Sequence, residues 1–165
     1  MFHKILLKKV LAIIILTLSI GLISLPSIAQ LKIGDPAPEV KLPDSLGKWT
    51  LLSEVKADIV LLDFWAAWCP PCIVAIQELK KIKNEFSNAS FEIFALSLDR
   101  DYWKWVNMVR KIGLPFIHVN DAYGLKSPRC AAYNVRSIPS KFLIQDGKIL
   151  AINPSLDQIK EILSK

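Results

Sequence analysis

The 165-residue sequence predicts an α/β domain in which a mixed central sheet carries helices on both faces and an N-terminal β-hairpin precedes it. Three observations support this. Nearly continuous apolar runs at Ile59–Trp65 and at 91–98 suit strands covered on both faces. Segments with apolar residues three and four apart alternate with those runs. Two short strands around Gln145-Asp146-Gly147 then read as a closing hairpin.

In chain order, residues 30–43 form an extended lead-in, because Pro36, Pro38 and Pro43 block helix. Residues 40–42 and Trp49–Leu51 flank Asp44-Ser45-Leu46-Gly47-Lys48, a hairpin turn containing glycine. After the strand Ile59–Trp65, Pro70 and Pro71 permit a helix start. Ile73, Ile76, Leu79, Ile82 and Phe86 then give a helix over 72–86 its apolar stripe. Residues 91–98 return as a second buried strand. Asp99 or Asp101 caps the next helix, which carries Tyr102, Trp105, Val109 and Ile112 on one stripe and ends at Gly113. A third strand at 116–119, a turn at 120–124 and a short helix at 127–133 follow. Strands at 141–144 and Lys148–Ile152 and a helix over 157–165 complete the order. There is no internal repeat and no linker long enough to separate two domains.

Residues 1–29 stand apart from this pattern. Lys4, Lys8 and Lys9 precede or open an apolar run over 10–25, and Pro26-Ser27-Ile28-Ala29-Gln30 follows with small residues at 27 and 29. A basic start, an apolar centre and a small-x-small site predict a secretory signal peptide cleaved after Ala29, with an uncleaved membrane anchor as the rival. The expected location is the periplasm or cell envelope, and residues 30–165 form the domain. No cysteine lies near the site, which excludes lipidation there. The whole-chain charge of +6 falls by the three leader lysines to +3, a value that serves solubility and makes no case for nucleic acid. Lys80-Lys81-Ile82-Lys83 reads as a solvated helix face.

Cysteine usage is the informative remainder. Cys69, Cys72 and Cys130 cannot all pair internally. A bridge between Cys69 and Cys72 would close too short a loop to stabilise the fold much, so chemistry is the better reason for the pair. Trp68-Cys69-Pro70-Pro71-Cys72 stands where a buried strand turns into a helix, and the unpaired amides and partial positive charge there favour a thiolate. Cys69 is therefore the expected nucleophile, and Cys72, about one turn further on, can resolve a mixed disulfide. Zinc held by Cys69, Cys72, Cys130 and His118 would lack the usual second paired motif. Haem attachment needs His after the second cysteine, and position 73 is Ile.

Asp63 is an acid inside the apolar run Ile59–Trp65, where burial would raise its pKa and let it take the proton of Cys72 through a water. A strand-end Asp turned to solvent is the plainer alternative. Ile138-Pro139-Ser140 lies between the short helix and the strand at 141–144, with the proline bond open to either isomer. His118 reads as an ordinary strand or surface residue and Cys130 as a half-buried helix cysteine.

Taken together, these residues resemble the thioredoxin superfamily, and within it the exported TlpA/ResA-like branch. The pieces run in the family's order: Gly34-Asp35-Pro36-Ala37-Pro38, then Phe64-Trp65-Ala66-Ala67-Trp68-Cys69-Pro70-Pro71-Cys72. Tyr133-Asn134-Val135, Ile138-Pro139-Ser140 and Phe142-Leu143-Ile144 with Asp146-Gly147-Lys148 follow, so the likeness spans about residues 33–152. It implies a thioredoxin fold with an extra strand and helix at 91–113, Cys69 as nucleophile and Cys72 as resolving thiol. It also implies a cis Pro139 facing the pair, and a partner-binding surface of Trp68, Pro70, Pro71, Ile138 and Pro139, where the backbone of Ile138 pairs with the partner. Members of the branch commonly act as periplasmic reductants, so the expectation for this chain is a monomer without a cofactor that reduces disulfide-bearing envelope proteins. Apocytochrome c is often among these, and a membrane thiol donor recharges the enzyme. Cys130 matches no functional position of the family. The alternatives are a metal-binding or delivery module using Cys69 and Cys72, and a thiol peroxidase. Peroxiredoxins share the early Gly-Asp-Pro-Ala-Pro feature, but their Pro-x-x-x-Thr-x-x-Cys context is absent here.

Overall fold

The computed structural model describes residues 30–165, so the expected leader lies outside the described residues. Within them, strand β3 (Ile59–Trp65) organises everything else. Six of its seven residues are buried, as a run apolar on both faces requires. It is the middle strand of a five-stranded sheet of order β5-β4-β3-β6-β7, where β4 is Phe91–Ser97, β5 Ile117–Asn120, β6 Ser140–Gln145 and β7 Lys148–Ile152. β4 runs parallel to β3 over their full length, from Ile59 opposite Phe91 to Trp65 opposite Ser97, and β5 runs parallel to β4 at the edge. β6 and β7 are antiparallel, which makes the sheet mixed as expected. The βα unit at 91–113 is thus central rather than peripheral. β1 (Lys41–Pro43) and β2 (Trp49–Leu51) form a separate two-stranded hairpin.

Alternation along β3 decides what each face buries. Val60, Leu62 and Phe64 meet Phe94, Leu96, Tyr133 and Phe142 on one face, where α3 (Pro128–Ala132) and the hairpin residues Val40 and Leu42 close the core. Leu61 and Trp65 point to the other face. There α1 (Pro70–Glu85), α2 (Tyr102–Ile112) and α4 (Leu156–Leu163) bring Ile76, Leu79, Ile82, Trp105 and Ile159. Both faces carry helices. Among the described residues, no helix is long and apolar enough to cross a membrane.

Helix ends follow local chemistry. Asp101, not Asp99, caps α2, accepting from the amides of Trp103 and Lys104, and Gly113 ends it at φ 60°. Tyr102 leaves the expected buried stripe because its hydroxyl finds the Ser45 carbonyl in the hairpin turn at 2.7 Å. Trp105 is buried as its place on the stripe predicts, and Val106 joins it. Ser155 and Gln158 form a reciprocal capping box on α4.

The proline-punctuated lead-in is fixed by contacts across the fold. Glu39 Oε1 accepts from the amides of Val40, Leu52 and Ser53. The buried Tyr133 hydroxyl donates to the Pro38 carbonyl at 2.5 Å while its ring packs on Phe64 and Phe142. Tyr133→Phe should cost about 1 kcal/mol in a urea unfolding curve through that one hydrogen bond. Tyr133→Ala should cost roughly 3–5 kcal/mol, because it also empties the ring's place in the core.

Candidate active site

The chain leaves β3 at Trp65 and enters α1 at Pro70, so residues 66–69 make the turn between a rigid strand and a helix N-terminus. Cys69 is the N-cap of α1. Its sulfur accepts the Cys72 amide at 3.3 Å, occupying one of the donors that a helix start leaves unpaired. Pro70 and Pro71 stand at the first helical positions, where a missing N–H costs nothing. Cys69 and Cys72 are joined in a disulfide, both nearly fully buried in a cluster with Trp65, Ile76, Ala95 and Trp105. Reduction of such a pair leaves a thiol sulfur at a helix N-terminus, in the field that most favours its anion.

The loop before β6 faces this pair. The Ile138–Pro139 bond is cis, and the Ile138 carbonyl oxygen lies 3.9 Å from Cys69 Sγ. Ile138 and Pro139 are half-buried, Pro70 and Pro71 exposed, and Trp68 stands 57% exposed beside the disulfide. The structure thus gathers Cys69, Cys72, Trp68, Pro70, Pro71, Ile138 and Pro139 at one end of the sheet. An extended chain approaching that end would find a disulfide, a half-exposed backbone carbonyl and an indole.

Asp63 lies deeper. It is 1% exposed, on the face of β3 that carries Leu61 and Trp65 and lies under α1, so it is not turned to solvent. Its Oδ1 has no hydrogen-bond partner among the described residues. Burial pushes its pKa up to about 7, with the Lys141 ammonium pulling weakly the other way.

Asp99 was legible in the sequence only as a possible helix cap, and the structure gives it a different place. Its Oδ2 accepts the Ala67 amide at 2.8 Å and the Ser97 hydroxyl at 2.8 Å, holding the turn that leads into Cys69. Asn120, at the end of β5, donates to the Ser97 and Asp99 carbonyls and to Ser97 Oγ. Burial raises the Asp99 pKa, and the Ala67 hydrogen bond opposes the rise. A Ser-x-Asp at the end of a buried strand was the available signal.

One expectation needs correction. Cys130 is fully buried rather than half-buried, in the core on the opposite face of the sheet from the disulfide, with its sulfur 3.7 Å from the Gly124 carbonyl. Burial, then the Asp121 charge, push its thiol up to about 11. His118 is a strand residue, the first of its two readings, and it is buried in β5. Its Nε2 lies 3.3 Å from the Leu114 carbonyl, and burial lowers its pKa to about 4. The four ligands weighed for zinc therefore do not meet.

Residues 33–152 match the AhpC/TSA family. The chain belongs to the AhpC/TSA family of the thioredoxin superfamily. Within that family it is 32% identical over 122 residues to the thiol–disulfide oxidoreductase ResA of Bacillus thuringiensis, an alignment spanning 73% of this chain and 69% of that one. A thiol–disulfide oxidoreductase from Bacteroides fragilis superposes with a TM-score of 0.72 at 32% identity, covering 78% of this chain and 100% of its own. The thioredoxin domain of a thiol–disulfide oxidoreductase from Bacteroides vulgatus gives 0.73 at 25% identity, covering 81% and 99%. The fold is that of thioredoxin, and this AhpC/TSA family member is a thiol–disulfide oxidoreductase.

The buried acids set a pH dependence of stability. An Asp whose folded pKa is raised holds its proton in the folded state after the unfolded chain has lost it. Asp63 therefore penalises folding progressively as pH rises from about 4 to about 7, while the lowered pKa of His118 acts in the opposite sense as pH falls below 6.5. Comparing Asp63→Asn with the wild type isolates the acid. The variant should be the more stable by a few kcal/mol at pH 8, about 4 as an upper bound, and by little at pH 4 in urea titrations.

Proposed function

We propose that this protein is an exported reductase of disulfides in envelope proteins, with apocytochrome c among its substrates, and that a membrane thiol donor recharges it. One observation carries the reading: a disulfide at the N-terminus of a helix, with the Ile138 carbonyl oxygen 3.9 Å from Cys69 Sγ. The basic, apolar, small-residue pattern of residues 1–29 supports export.

In the reduced protein the Cys69 thiolate attacks one sulfur of the partner's disulfide. A bond forms between Cys69 Sγ and that sulfur, the partner's S–S bond breaks, and the released sulfur takes a proton. Cys72 then loses its proton, to Asp63 through a water, and attacks Cys69 Sγ. The Cys69–Cys72 disulfide closes, the bond between Cys69 and the partner breaks, and the second partner sulfur departs as a thiolate that takes its proton from water. The protein's dithiol has lost two electrons and the partner's disulfide has gained them. Helix-end amides supply the charge stabilisation for Cys69, and an acid titrating near neutrality suits the proton transfer. Trp68, Pro70, Pro71, Ile138 and Pro139 hold the partner, the Ile138 backbone through hydrogen bonds to an extended segment.

Equilibration of the Cys69–Cys72 pair against defined dithiol buffers tests the direction. A potential near −270 mV is expected of a reductant; one near −120 mV would mark an oxidant, and no two-electron transition would end the redox reading. Cys72→Ser should accumulate a mixed disulfide at position 69, whereas Cys69→Ser should trap nothing, as read by non-reducing gels. Asp63→Asn should slow partner release about tenfold or more and remove the inflection near pH 7 from its rate profile.

A further inference from the structure

α2 shows two faces. Trp105, Val106, Val109 and Ile112 pack into the core beside the disulfide, while Lys104, Asn107, Met108 and Lys111 follow the i, i+3, i+4, i+7 spacing of a second stripe. That second stripe and Ala67-Trp68 line a groove of about 340 Å³ next to Cys69. Its volume is at the small end for ligand sites, which suits a side chain of a larger partner better than a whole small molecule. The walls are carbon: the Trp68 ring, the Met108 side chain and the lysine stems. Its rim is cationic. Among the described residues neither Lys104 nor Lys111 pairs with a carboxylate, and α2 carries Lys104, Arg110 and Lys111 but no acid. On the other side of Trp68 a second trough carries the carboxylates of Asp99 and Asp101 beside Arg100 and Lys104, so the unopposed positive charge lies toward Lys111 in the first groove.

We propose that this groove docks an acidic, extended segment flanking the disulfide of the partner protein. An apolar side chain of that segment lies against Trp68 and Met108, and its carboxylates meet Lys104 and Lys111. The inference rests on the proposed exchange at Cys69 and names which partners that exchange favours. Charge complementarity selects the occupant. A second copy of this chain would bring the same ammonium groups to the same seam, whereas an acidic segment neutralises them. Seven residues of helix separate the two lysines by about 10 Å, a span that an extended chain covers in about three residues. Exposed charges of this kind act mainly on encounter, so the preference should show in the second-order rate and fade with salt.

The test uses two synthetic peptides with the same intramolecular disulfide, one flanked by two Asp three residues apart and the other by two Lys at the same positions. The reduced protein is mixed with each and its oxidation followed. The acidic peptide should react about fivefold faster at low ionic strength, and the two rates should converge in 0.5 M salt. Lys104→Glu with Lys111→Glu should reverse the order, and the milder Lys104→Gln with Lys111→Gln should abolish it. Lys81→Glu, a charge reversal on α1 outside the groove, should retain it. Equal rates, a faster basic peptide, or an order that survives the reversal would overturn the docking site while leaving the exchange reaction standing. Failure to reduce either peptide would overturn both.

Discussion

The site depends on how β3 hands its chain to α1. A strand buried on both faces and paired on both edges cannot shift, so Trp65 fixes where the turn begins. The turn then ends in a residue whose side chain must satisfy a helix start. Most helices use an oxygen for this; here the sulfur of Cys69 accepts the Cys72 amide. One local requirement, the capping of a helix, therefore fixes the Cys69 sulfur, orients it to the Ile138 loop and puts it in the field of a helix N-terminus. Asp99 completes the arrangement from the neighbouring strand by holding the amide of Ala67, two residues upstream.

Much of this was readable from the chain because it is local. The apolar run of β3, the prolines after Cys69 and the alternation of strand and helix each announce themselves within a few residues. Asp63 was readable too, since apolar neighbours on both sides left it nowhere to go but inward. The opaque parts are those fixed by pairing at a distance. Asp99 and Asp101 are equally good caps on paper, and only the register of β3 against β4 brings Asp99 to the turn. Cys130 and His118 looked ordinary because short elements show too little periodicity to reveal which side is covered. Tyr102 fits its helix stripe by spacing, yet a carbonyl in the hairpin turn draws its hydroxyl outward.

The two faces of the sheet differ in how fully their buried polar groups are satisfied. An apolar residue at position 63 would pack under α1 without the desolvation cost that the carboxylate carries. The same half of the core holds the indoles of Trp65 and Trp105, whose Nε1 atoms find no acceptor among the described residues. Polar groups left unsatisfied near the cysteines contrast with the other face, where Tyr133 spends its hydroxyl on Pro38 and the aromatic rings interlock.

The division of α2 into two stripes has a consequence for how such proteins diverge. Because Trp105, Val106, Met108, Val109 and Ile112 supply the core contacts of the helix, the exposed positions 104, 107 and 111 can change with little effect on folding. On the docking proposed for the groove, a lineage can alter its clientele by drift along one solvent-facing row while its exchange chemistry stays as inherited.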